Sequence, residues 1–109
     1  MREENNSLNS TDQTAIEHFI DHLWMERGLS DNTLNAYRTD LQGFSRWLSQ
    51  NGGGVLLEVD RQQLLSYLAS RVHEGARPRT TARLISSMKR FYQYWIREQR
   101  LDTDPSDKI

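Results

Sequence analysis

Arg79, Arg83, Ser86, Arg90 and Arg97 recur at steps of three, four and seven residues. At 100° per residue they fall on one narrow sector of a helix. A guanidinium donates through a planar fork that matches two phosphate oxygens, and a serine hydroxyl adds a further donor. Arg79 to Arg97 would span roughly 27 Å at about 1.5 Å per residue. Arg77 and Thr80 extend the same chemistry at the N-terminal end. Between Arg77 and Arg100 stand seven basic residues and a single acid, Glu98. Solvated helix faces usually mix acids with bases for i,i+4 pairing. The plain alternative is a soluble outer surface, but this segment carries +6 inside a chain whose formal total is −1. Such segregation points to a phosphate-bearing polyanion even though the overall balance is slightly acidic.

A second candidate face holds Asn35, Thr39, Gln42 and Arg46, with Arg38 at its edge. Amides and guanidinium groups can pair bidentately with base edges in a groove. The same composition also describes an ordinary solvated face. His18 and His22 stand four apart, a possible metal spacing. Phe19 occupies the place where a zinc-protease helix carries its general base, and no third ligand is indicated. They read as polar-face residues, and no metal or other cofactor is expected. Nothing in the chain supplies a Gly-rich phosphate loop, a nucleophile–base pair or a framed carboxylate pair, so an independent enzyme is disfavoured.

Four helices must position these groups. The first starts at Ser10, with Ser10 as cap and Gln13 reaching back, and carries Ile16, Phe19, Ile20, Leu23 and Trp24. It stops at Gly28 in a left-handed cap. The second is capped by Ser30 and runs to about Gln50, with Leu34, Tyr37, Leu41, Phe44 and Leu48 as its stripe. Gly52, Gly53 and Gly54 form a connector, and Val55 to Val59 is too short and isolated for a sheet. Asp60 with Gln63 caps the third helix, whose apolar positions are Leu64, Leu65, Tyr67, Leu68 and Val72. Pro78 opens the fourth, whose inner side is Leu84, Met88, Phe91 and Trp95, flanked by Ile85, Tyr92 and Ile96. Trp24 and Trp95 fit the core, and Trp47 falls off its stripe. The expected fold class is all-α, a compact four-helix bundle.

The motif Thr33, Tyr37, Asp40, Leu41, Phe44, Trp47 and Leu48, followed by Arg83, Leu84, Lys89, Arg90, Phe91, Tyr92 and Tyr94, resembles the N-terminal core-binding domain of tyrosine recombinases, the phage integrase family. The runs LSDNTLNAYRTDL and TTARLISSMKRFYQYWIRE, ending in Asp104-Pro105-Ser106, are similar to its bacterial chromosome-dimer-resolving branch. The resemblance covers residues 12–107 and is weakest through the glycine connector and third helix. It implies a SAM-like fold that covers one side of a recombination site, with the second and fourth helices facing DNA. The DNA-binding residues it implies are Asn35, Arg38, Thr39, Gln42, Arg46, Arg77, Arg79, Thr80, Arg83, Ser86 and Arg90.

By the same resemblance the partners are double-stranded DNA at a dif-like site and an XerC-like recombinase in a heterotetramer. The family's catalytic tyrosine and its helpers belong to a separate C-terminal domain. None of Tyr37, Tyr67, Tyr92 or Tyr94 is therefore expected to act as nucleophile, and this fragment is not expected to be an enzyme. The expected organisation is a disordered tail over 1–9, the core-binding domain over 10–101, and over 102–109 a linker toward a missing C-terminal catalytic domain. The absence of cysteine, of a secretory signal and of an apolar run of membrane length suits the cytoplasm. A competing reading is a helical protein-interaction domain docking an acidic partner through its basic helix.

Overall fold

A computed structural model describes residues 8–109, and the part of the expected tail at 1–7 lies outside them. Among the described residues the helices are α1 (Ser10–Arg27), α2 (Asp31–Gln50), α3 (Arg61–His73) and α4 (Pro78–Arg97), with a 3₁₀ turn at Leu56–Glu58. No strand occurs among the described residues, so the chain is all-α as expected. None of the described helices is long and apolar enough to cross a membrane. The helices fall into two units, which divide after Leu56.

In the first unit Asn9, rather than Ser10, caps α1. Its side chain accepts hydrogen bonds from the Thr11 and Asp12 amides at 2.8 and 3.2 Å. The cap therefore sits one residue earlier than the Ser10–Gln13 box would place it, because Asn9 keeps a non-helical backbone whereas Ser10 is already helical. At the other end Gly28 takes φ +61 and returns its N–H to the Trp24 carbonyl at 3.2 Å. Ser30 then caps α2 by accepting from the Thr33 amide at 3.2 Å.

The two helices run antiparallel, as two cross-links show. Asp12 near the start of α1 meets Ser45 near the end of α2, and Glu17, further along α1, meets Arg38, further back on α2. Ile16, Phe19, Ile20 and Leu23 of α1 and Leu34, Tyr37, Leu41, Phe44 and Leu48 of α2 are buried. Trp24 is 60% exposed, contrary to its expected place in the core. Asp12 and Ala15 are both buried and shift the inner face of α1 around the helix. Trp24 then lies about 110° from the centre of that face.

In the second unit the expected capping box is present. Asp60 accepts from the Gln63 amide at 2.8 Å, and Gln63 accepts from the Asp60 amide at 3.0 Å. Leu64, Tyr67 and Leu68 are buried, whereas Val72, in the last turn of α3, is 57% exposed and contributes nothing to a core. Pro78 stands at the start of α4, where a missing N–H costs no helical bond. Leu84, Met88, Phe91 and Trp95 are buried with Tyr92 and Tyr94. Phe91 and Tyr92 meet edge to face at 5.1 Å, as do Tyr94 and Trp95 at 4.9 Å.

The stretch 102–109 forms turns fastened to its own unit. The Asp104 carboxylate accepts from both the amide and the hydroxyl of Ser106, at 2.8 and 2.6 Å. Lys89 of α4 donates to the Ser106 carbonyl at 3.1 Å, and Arg61 of α3 donates to the Asp107 carbonyl at 3.0 Å. Pro105 and Ser106 are buried.

Candidate nucleic-acid interface

The outer face of α4 follows from its inner one. Once Leu84, Met88, Phe91 and Trp95 turn inward, residues half a turn away must face outward. Arg79, Arg83, Ser86, Arg90 and Arg97 are all exposed, and Gln93, also exposed, completes their row without adding a carboxylate. Arg77 is exposed at the N-cap and Thr80 is half-buried in the first turn. Lys89 lies off this row and is committed to the Ser106 carbonyl. The helix N-terminus adds its own partial positive charge to the Arg77–Thr80 end. What the face can do chemically is bind a row of phosphate oxygens.

On α2, Asn35, Thr39 and Arg46 are exposed and Gln42 is half-buried, on one side of the helix. Arg38, at its edge, is different. Its Nε and Nη2 donate to the two carboxylate oxygens of Glu17 at 2.8 and 3.1 Å, a bidentate fork. Its Nη1 donates to Asn35 Oδ1 at 2.6 Å. The Glu17 hydrogen bond raises the Arg38 pKa above that of an ordinary guanidinium. Partial burial opposes this, and the charges of Glu17 and Asp21 add to it. A carboxylate from α1 thus reaches the edge of the α2 face. Reading along α2 alone could not reveal it, because Glu17 and Arg38 are separated by 21 positions.

Sequence reasoning also passed over Asp12, 1% exposed. Its carboxylate accepts from the Ser45 hydroxyl at 2.5 Å and from the Leu56 amide at 2.8 Å. The signal available was an acid on the inner side of an amphipathic helix, a place acids occupy only when paired. A second omission is Arg100, whose guanidinium lies 5.4 Å from the centre of the Trp95 ring.

His18 is exposed and His22 half-buried, and no group of three His, Cys, Asp or Glu suited to a metal occurs among the described residues. The four tyrosines, Tyr37, Tyr67, Tyr92 and Tyr94, are between 0 and 9% exposed. A phenol so enclosed cannot reach a phosphorus atom on a DNA strand.

Known proteins match this sequence. Residues 16–99 fit the family model described as "Phage integrase, N-terminal SAM-like domain". Tyrosine recombinase XerD of Pseudomonas aeruginosa is 41% identical over 103 residues, which is 94% of this chain and 34% of the relative. XerD of Shewanella oneidensis is 45% identical over 94 residues, 86% of this chain and 31% of the relative. XerD of Proteus mirabilis is 46% identical over 91 residues, 84% of this chain and 29% of the relative. The chain spans about a third of the length of these relatives. The all-helical fold, the outward arginine row and the match over 16–99 agree, and the chain belongs to the tyrosine recombinase (phage integrase) family as its N-terminal SAM-like domain.

Proposed function

We propose that this chain is the DNA-binding N-terminal domain of a XerD-type site-specific recombinase. It would grip one side of a dif-like site while a C-terminal catalytic domain closes on the other and cuts and rejoins the strands. The observation that carries this reading is the outward row Arg79, Arg83, Ser86, Arg90 and Arg97, exposed and containing no acidic residue, in a member of this family. That row suits tracking of a phosphate backbone, which holds a protein in register without reading sequence. Asn35, Thr39, Gln42 and Arg46 have the donors and acceptors needed at base edges. Residues 10–101 then act as the core-binding domain, and 102–109 lead toward the catalytic domain.

The family and the similarity to XerD support the wider setting. In it, the chain works with an XerC-like partner in a heterotetramer, in the cytoplasm, resolving chromosome dimers before segregation at cell division. The chain's own part is to bind and orient DNA. The direct test is fluorescence anisotropy of the purified chain with a labelled dif-type duplex at low salt, challenged by polyglutamate of equal total charge. Retained duplex binding supports the proposal. Displacement by polyglutamate as readily as by unlabelled duplex would move the protein-docking reading ahead.

A further inference from the structure

Arg38 is the cation on the α2 face that the structure ties down on both sides. Three of its nitrogens are engaged, two by Glu17 and one by the side-chain oxygen of Asn35, at 2.6 to 3.1 Å. Its charge is balanced by a carboxylate and its plane is fixed by a fork. A guanidinium in that state is a poor phosphate clamp, because taking a phosphate means giving up the carboxylate. It is well suited to orienting a neighbour. With Arg38 on Oδ1, the plane of the exposed Asn35 amide is set and its NH₂ group is turned away from Arg38. Asn35 then presents its hydrogen-bonding edge without searching among rotamers, the pre-organisation that a bidentate contact to adenine needs.

We infer that Glu17 and Arg38 are positioning residues for base recognition by Asn35, and that Glu17 restrains Arg38 from non-specific phosphate binding. This rests on the DNA-binding reading above and refines it: the specificity of the α2 face is set in part by a side chain on α1. The sign is unusual, since removing an acid from the edge of a DNA-facing surface normally only helps binding. Here Glu17→Gln should tighten binding to random DNA and at the same time erode sequence preference.

The experiment uses the full chain in two assays. The first is anisotropy against a random-sequence duplex over a range of salt. The second is selection from a duplex pool randomised across one half-site. Glu17→Gln should give tighter random binding, a log K against log salt slope steeper by about 0.9, and loss of preference at one base pair by about 5- to 100-fold. Arg38→Ala should lose the same base preference yet leave the salt slope unchanged. Asn35→Ala should lose it too, with Glu17→Gln adding no further loss in the double variant. A merely structural role would move thermal stability without moving the base preference. Arg83→Ala serves as the reference for the underlying reading. If it flattens the slope while Arg38→Ala flattens it equally and Glu17→Gln leaves the selected sequence intact, the positioning role is wrong and DNA binding stands. If Arg83→Ala leaves the slope unchanged, the DNA reading itself fails, and the positioning role falls with it.

Discussion

The Asp12 carboxylate and the Ser45 hydroxyl, 33 positions apart, share a buried hydrogen bond of 2.5 Å, and the other oxygen of Asp12 accepts the Leu56 amide at 2.8 Å. One side chain therefore ties the start of α1 to the end of α2 and to the chain leaving the glycine connector. The α2 face can present Asn35, Thr39, Gln42 and Arg46 in a fixed register because α2 is held at both Ser45 and Arg38 by α1. Asp12→Ala would leave a hydroxyl and an amide buried without their acceptor. Each such group costs about 1–3 kcal/mol, so a loss of about 2–6 kcal/mol is expected by urea denaturation. Asp12→Asn, which keeps one acceptor oxygen for the Leu56 amide, should lose less. Equal stability of Asp12→Ala and the parent would show that the node holds nothing.

Phe91 is fully buried on the inner side of α4, against the edge of Tyr92. Phe91→Ala should cost about 3–5 kcal/mol, a large share of a typical domain stability of about 5–15 kcal/mol. A thermal melt indistinguishable from the parent would remove Phe91 from the core and, with it, the reason the arginine row faces outward.

Lys89 is spent on the Ser106 carbonyl rather than on the outer row. A hydrogen bond to a charged group contributes about 1.5–3 kcal/mol. Lys89→Ala should therefore speed amide exchange at Asp107 and Ile109, whose N–H groups close the turns there, by about tenfold or more. Duplex affinity should hardly change. If the affinity falls as far as in Arg90→Ala, Lys89 belongs with the phosphate-binding residues.

Chemistry is a separate test. Incubated with a nicked suicide substrate, the chain should form no covalent protein–DNA adduct, since Tyr37, Tyr67, Tyr92 and Tyr94 are all buried. A protease-sensitive shifted DNA band on a denaturing gel would overturn this.

Much of the fold was legible in the sequence because it rests on local rules. The 3–4 spacing of α2 and α4, the Asp60–Gln63 box, the Gly28 stop and Pro78 at a helix start all act within a few residues. The outer row of α4 was legible for the same reason, one helix supplying both its inner and outer sides. What escaped was long-range. The Glu17–Arg38 fork and the Asp12 node join residues 21 and 33 positions apart, and no periodicity within one helix encodes them. The exposure of Trp24 has the same origin, because the buried Asp12 and Ala15 turned the inner face of α1 away from it. The fastening of 102–109, read from the sequence only as a linker, is long-range as well: Lys89 and Arg61 reach the Ser106 and Asp107 carbonyls from 17 and 46 positions away.

The central claim, that the α4 row binds a phosphate backbone, is tested most directly by the salt dependence of duplex binding in Arg79→Ala, Arg83→Ala and Arg90→Ala, each first shown by circular dichroism to be folded. Removing one phosphate-binding arginine should flatten the plot of log K against log salt by about 0.9, with cognate and random duplexes weakened alike. Affinity and slope unchanged in all three variants would contradict it and leave the row an ordinary solvated surface.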